Sequence, residues 1–241
     1  MNIGAQLYGF EQSYALNNLP YILKCIKEMG YDSVEMPFMT DAVSNVEQFQ
    51  LNYFALHVGI DELTQLPGLI NHLHNNDCHN LCISGPLGWH DRTLNNFEKS
   101  CIFLNEKARL LKAEGINVHY HNHEFEFIGK QLPINILINN LDPSLIKFCI
   151  DVGWMHVSGT DPVKFLNQYK NRISYVHLRD FLGQQSVPLG EGDVDIAGVI
   201  GAIKSNPAIE WLLVEHGPEQ HQTAFDNLSR SRVFLKNNFR L

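Results

Sequence analysis

No two cysteines in this 241-residue chain stand in C-x-x-C spacing, and the five present (Cys25, Cys78, Cys82, Cys101 and Cys149) are odd in number and scattered. That pattern argues against a disulfide framework and predicts reduced thiols in a cytoplasmic protein. Positive charge is also scarce, with 18 Lys and Arg against 26 Asp and Glu and a net charge of −8. Nucleic acids and anionic membranes both require a positive field, so neither is an expected partner. No apolar run approaches a membrane span. Met1 leads into "NIGAQLYGF" without the basic and apolar regions of a secretion signal, so export is not expected. No Pro/Ser-rich linker or shift in composition divides the chain. A single domain over residues 1–241 is expected, and 44% apolar residues are enough for one core.

What the chain has in excess is histidine, twelve residues in all, and histidine is the commonest metal ligand. Three of them alternate in "INVHYHNHEFEF", residues 116–127, with two glutamates close behind. Along the chain, short apolar segments alternate with longer amphipathic ones. The segments "NIGAQLY", "YDSVEM", "YFALHVG", "NLCISG", "INVHYHNH", "IKFCIDVG", "ISYVHLRD" and "WLLVEHG" recur about every 30 residues, the length of a βα unit. Eight such units in one domain predict a (β/α)8 TIM barrel in preference to an open doubly wound sheet. The helices after the second and fifth strands are expected to be short.

Alternation within the strands predicts which side chains face the barrel axis, because residues i and i+2 share a face. Val176 and Leu178 suit the helix layer, which leaves Tyr175 and His177 inside. Phe148 and Ile150 point out and Asp151 in; Leu212 and Val214 point out and Glu215 in. The same parity puts Gln6, Glu35 and His57 inward on the first three strands, and His119, His121 and His123 inward on the fifth. Nearly all of these residues end their strands, so they converge on the mouth where barrel enzymes place their chemistry. Asp151, Glu215, His177 and a carboxylate from residues 124–126 form a mixed oxygen and nitrogen set that suits one divalent metal ion: Mn, Co, Mg or Zn. The competing reading is a mouth without metal, in which His177 and Arg179 neutralise Asp151 and Glu215. Crowded acids with no lysine among them favour the cation. Asp180 is expected to pair with Arg179 at the rim. Gly190-Glu191-Gly192 is expected to form a flexible loop over the site, and it opens no helix as a phosphate cradle would.

In order along the chain, "YHNHEFEF", "IDVGWMHVSGTDP", "VHLRDF", "VPLGEGDVD" and "VEHG" resemble the xylose-isomerase-like TIM-barrel family of sugar phosphate isomerases and epimerases. "GAQLYGF" and "YDSVEMP" resemble that family's opening strands, so the likeness spans almost the whole chain. It implies a single divalent metal held by Asp151, His177 and Glu215. Many relatives that act on ketoses carry a glutamate in the fifth strand roughly where His121 stands. In the "HNHxxE" subgroup the resemblance implies Glu126 as the fourth ligand and leaves His121 as a ligand or a proton-transfer group. Glu215, His121 and Glu126 are the expected proton carriers, and an imidazole beside a cation is expected to have a depressed pKa. Gln6, Glu35, His57, Trp154 and Arg179 are the expected substrate contacts. His57 could equally be a satisfied inner-face histidine, Trp154 could close the rim, and Glu35 could orient a ligand. His119 is expected deeper in the barrel, with His123 and His156 outside the ligand set.

The resemblance implies a metal-dependent enzyme that moves a proton next to a carbonyl in a sugar, sugar phosphate, sugar acid or cyclitol through an enediolate, as an isomerase or epimerase. The same enediolate can expel a β-hydroxyl, which makes a dehydratase resembling the inosose dehydratases the alternative. A non-catalytic sugar-binding protein is the third reading. The family's apurinic-endonuclease branch fits poorly, because "HLRDF" lacks a downstream acid–x–histidine pair and an acidic chain repels a polyanion. The expected partner is a small-molecule sugar, and apolar residues on the outer helices would permit a homodimer.

Overall fold

The computed structural model describes residues 1–37 and 46–241. The chain runs through strands β1 (Asn2–Gln6), β2 (Ser33–Met36), β3 (Asn52–Gly59), β4 (Asn80–Ser84), β5 (Asn117–His121), β6 (Ile146–Asp151) and β7 (Ile173–Leu178). A hairpin of β8 (Asp180–Leu182) and β9 (Gln185–Val187) comes next, and then β10 (Trp211–Val214). All but the hairpin strands pair in parallel with their neighbours, and β10 returns to β1, closing an eight-stranded TIM barrel. Helices α1 (Gln12–Met29), α2 (Leu66–Asn75), α3 (Leu94–Ala113), α4 (Pro133–Asn140), α5 (Val152–Val157), α6 (Pro162–Gln168), α7 (Ile196–Lys204) and α8 (His221–Phe239) accompany the strands. The short helix expected after the fifth strand is α4, eight residues long. The one expected after the second strand falls largely on residues 38–45, outside the described residues. No helix among the described residues is long and apolar enough to cross a membrane.

Local chemistry accounts for these elements. Thr93 caps α3 by accepting the Asn96 N–H, and Phe97, Cys101, Leu104, Ala108 and Leu111 bury one face at helical spacing. Gly115, at φ +75°, ends that turn in a conformation open to glycine. The main core lies between the strands and the helices, where the outward strand residues Val118, Tyr120, Phe148, Ile150, Val176, Leu178, Leu212 and Val214 pack. A second, smaller cluster of Phe54, Ala55, Cys82, Cys149, Tyr175 and Leu213 fills the barrel lumen. This plug leaves the C-terminal end of the lumen to polar side chains. Gly153 permits one further close approach. A Cβ there would lie 2.9 Å from the Arg179 carbonyl oxygen and 2.8 Å from the Phe181 ring, so glycine brings the exits of β6 and β7 together.

Candidate active site

Stagger between the strands brings four polar ends to one level. His121 pairs with Cys149 and, two residues on, Asp151 pairs with His177. Glu215 lies just past β10, where its N–H still bonds the Leu178 carbonyl at 3.0 Å. One ligand atom from each of His121, Asp151, His177 and Glu215 lies within 4.8 Å of all the others, and all four side chains are buried. His121 Nε2 is 3.7 Å from both Asp151 Oδ2 and Glu215 Oε2. Neither pair is a hydrogen bond at that distance. Two donors at about 2.1 Å on a tetrahedral ion stand about 3.4 Å apart, so these spacings suit a shared cation. His121 Nε2, Asp151 Oδ2, His177 Nδ1 and Glu215 Oε2 all lack an aligned hydrogen-bond partner, which burial makes costly unless a further group satisfies them. Two imidazoles and two carboxylates are a donor set that divalent transition metals accept. The four residues therefore fit such an ion, with His177 Nδ1 and Glu215 Oε2, now 2.7 Å apart, having to separate slightly.

Glu35 lies beneath this group, fully buried. Its Oε1 is 3.1 Å from His177 Nε2 and 2.9 Å from His57 Nδ1, and its Oε2 accepts from Tyr175 Oη at 2.8 Å. A carboxylate behind a ligating imidazole fixes the ring's orientation and tautomer, which is the role open to Glu35 toward His177. Contact with a sugar hydroxyl, the other role expected of it, does not fit its complete burial outside the cavity lining. Gln6 joins the same network through Nε2, 3.2 Å from His57 Nδ1.

Glu126 does not join the four. Its Oε2 accepts the His123 N–H at 2.8 Å and its Oε1 accepts Tyr120 Oη at 2.9 Å, so both oxygens serve the chain that carries them. The turn after β5 is a capping box, with His123 at the N-cap and Glu126 three residues on. Burial also pushes the Glu126 carboxyl up to about 8, against those two donors, which disfavours the ionised form a ligand needs. His121 occupies the place foreseen for Glu126. The rim differs too. Arg179 pairs with Glu215, Nη1 to Oε1 at 2.9 Å, and not with Asp180. Asp180 instead accepts the backbone N–H groups of Phe181, Gly190, Gly192 and Val194. The Gly190–Gly192 loop is thus fastened to a buried carboxylate. His119 sits lower in the barrel, bonded to Ser174 Oγ and Asn80 Oδ1, as expected of a structural residue.

A cavity of about 430 Å3 opens over the cluster, lined by Gln6, Tyr8, Gln12, Pro37, His57, Val58, Gly59, Glu62, Ser84, Trp89, His121, His123 and Glu215. Of the expected substrate contacts, Gln6 and His57 line it. Glu35, Trp154 and Arg179 do not: Arg179 stacks over the rings of Trp154 and Phe181 at 4.6 and 5.0 Å. Tyr8, Gln12, Glu62, Ser84 and Trp89 were not foreseen. Apart from Ser84 they lie beyond the strands, where parity carries no information. A larger groove of about 750 Å3 lies at the opposite end of the barrel around Asn52, Asn80 and Trp211, away from every residue of the cluster.

Burial disfavours a charge on His121, but the carboxylates of Asp151 and Glu215 outweigh it and raise the ring's pKa to about 9. A cation must therefore displace a proton to use this ring. Across about pH 6 to 8, Mn2+ or Zn2+ affinity is therefore expected to rise roughly tenfold per pH unit for each proton displaced. Titration calorimetry in two buffers of unlike ionisation enthalpy checks this. A pH-independent affinity without proton release removes His121 from the donor set.

Comparison with known proteins adds to this geometry. A family model described as xylose isomerase-like TIM barrel matches residues 59–236. The inosose dehydratase of Clostridium tetani (strain Massachusetts / E88) is 33% identical over 132 residues, 46% of this chain and 44% of that protein. The chain thus spans less than half the length of that relative in the match. The inosose dehydratase of Geobacillus kaustophilus (strain HTA426) is 23% identical over 242 residues, covering 80% of this chain and 78% of that one. Among solved structures, a sugar phosphate isomerase/epimerase from Parabacteroides distasonis ATCC 8503 superposes with a TM-score of 0.84 at 21% identity, over 97% of each chain.

Proposed function

This chain belongs to the xylose isomerase-like TIM-barrel family, and from that premise we propose that it is a divalent-metal-dependent dehydratase of a polyhydroxylated ketone, a keto-sugar or inosose. The observation that carries this reading is the donor set. In many of the ketose-acting proteins of the family that the chain resembles, the fifth strand supplies a glutamate; here it supplies the imidazole of His121, and Glu126 is bound to its own turn. Of the four cluster residues, Glu215 is the carboxylate that lines the cavity, and Arg179 holds its Oε1. Burial opposes its ionisation, but Arg179, His121 and His177 hold its carboxyl well below the usual range, which makes it a weak base. The inosose dehydratases among the relatives support the same conclusion.

When bound by His121, Asp151, His177 and Glu215, the cation supplies a Lewis acid for the substrate's carbonyl and neighbouring hydroxyl. The chain's own residues supply the rest. His57 has Nδ1 against Glu35 and lines the cavity, so its other nitrogen is available to take the proton from the carbon beside the carbonyl. The electrons of the broken C–H bond form the new double bond as the β-hydroxyl leaves. His57 then returns its proton to that hydroxide, and the products are water and an unsaturated ketone. One proton carrier is sufficient for elimination on a single face. Epimerisation needs a carrier on each face, and isomerisation or epimerisation is the second reading, supported by Glu215 lining the cavity together with His57.

Reaction of scyllo-inosose and a panel of ketoses in deuterated water, followed by mass spectrometry and NMR, tests the choice. The expected product has lost one water. A product of unchanged formula carrying one deuterium favours the second reading. Unchanged compounds without deuterium, in the presence of bound metal, reject both.

A further inference from the structure

The dehydratase reading leaves the charge of the ketone open. Resting on that reading, we propose that the substrate is uncharged, neither a sugar phosphate nor a sugar acid. Proteins bind phosphate and carboxylate with arginine forks, lysines and the backbone N–H groups of loops and helix starts. The cavity over the cluster has no lysine or arginine among its described lining residues, and it has two acids, Glu62 and Glu215. Residues 38–45, FMTDAVSN, contain no basic residue that could enter from outside the described part. Arg179 is engaged by Glu215 and wedged over two aromatic rings. Arg92 lies 3.8 Å over the Phe125 ring, outside the lining.

The backbone leads to the same result independently. Barrels that bind phosphate commonly do so with the loops after their seventh and eighth strands. Here the loop after β7 does gather N–H groups around an anion, those of Phe181, Gly190, Gly192 and Val194 at 2.8 to 3.1 Å, but the anion is the carboxylate of Asp180. A Cβ at residue 192 would lie 2.3 Å from Asp180 Oδ1, so the glycine serves this internal anion. Acids also stand at several helix starts: Asp151 and Asp195 accept N–H groups at the N-caps of α5 and α7, Glu11 sits at the N-cap of α1, and Asp61 and Glu62 lie in the turn leading to α2. What faces the cavity instead suits neutral hydroxyls and C–H faces: the amides of Gln6 and Gln12, the Ser84 hydroxyl and the Trp89 ring.

Matched pairs test this on the metal-loaded full chain: D-fructose with D-fructose 6-phosphate, D-ribulose with D-ribulose 5-phosphate, and scyllo-inosose as the cyclitol. The expected result is a kcat/KM at least about 100-fold higher for the neutral member. Glu62→Arg, which places a cation at the cavity, should narrow that ratio about tenfold or more. Equal or better use of the phosphates overturns the assignment of charge and leaves the keto-polyol reading standing. A ratio unmoved by Glu62→Arg overturns the view that charge sets the choice. Turnover of no ketone of either kind overturns the underlying reading and this inference with it.

Discussion

Glu215→Gln is expected to lower turnover by about a thousandfold or more while leaving the fold intact. Glu215 holds three positions at once: Oε1 on Arg179 at 2.9 Å, and Oε2 at 2.7 Å from His177 Nδ1 and 3.7 Å from His121 Nε2. The amide keeps the shape but removes the charge that Arg179 and a divalent ion both need. A buried arginine without its carboxylate is costly, so the variant should also lose part of its cation occupancy. Packing is spared, because Glu215 lies just past β10 and outside both apolar clusters. Elemental analysis, steady-state kinetics and a melting curve on the same preparation check this. Normal turnover with full metal occupancy would remove Glu215 from the site.

The second expected result separates two residues that the sequence left entangled. His121→Gln should abolish stoichiometric metal binding, and Glu126→Gln should keep it. The Glu126 amide can turn its oxygen to the His123 N–H and its NH2 to Tyr120 Oη, which as a hydroxyl can accept, so the capping turn keeps both contacts. Stability should therefore change by less than about 1 kcal/mol. The two variants separate in metal content, one losing the ion and the other keeping it at a near-native melting temperature. Metal lost from Glu126→Gln and retained by His121→Gln would restore the assignment implied by the family resemblance.

The contrast shows where the sequence was legible. Alternation placed His121, Asp151, His177 and Glu215 inward at one level, because strand parity is a strict period of two and the barrel admits only one inside. It also placed Gln6, Glu35 and His57 correctly on the inner face, without revealing that Glu35 lies one layer below the cavity. Height along the axis depends on the stagger between strands, which no single segment encodes. Glu126 lay past the end of β5, where parity no longer applies. The spacing of His123 to Glu126, an N-cap and a glutamate three residues on, was the available signal that the side chain turns back on its own backbone. Asp180 offered a signal of the same kind. Neighbours in an extended segment point to opposite sides, so a pair between Arg179 and Asp180 was geometrically disfavoured from the start.

The network around Glu35 has a consequence for how the chain reaches this state. Its partners come from β3 and β7, and Tyr175 is 140 residues away in sequence. No local segment can assemble that contact, and the carboxylate is fully enclosed once the strands are in place. An unclosed barrel, or a nascent chain that has not yet emitted β7, would carry Glu35 as a charge lacking two of its three partners. The polar end of the lumen therefore favours late and concerted closure over stepwise growth from an early half-barrel. Long-range contacts of this kind are those that slow folding. The side chain that steadies His177 in the finished protein thus also penalises every form in which the last strands are missing.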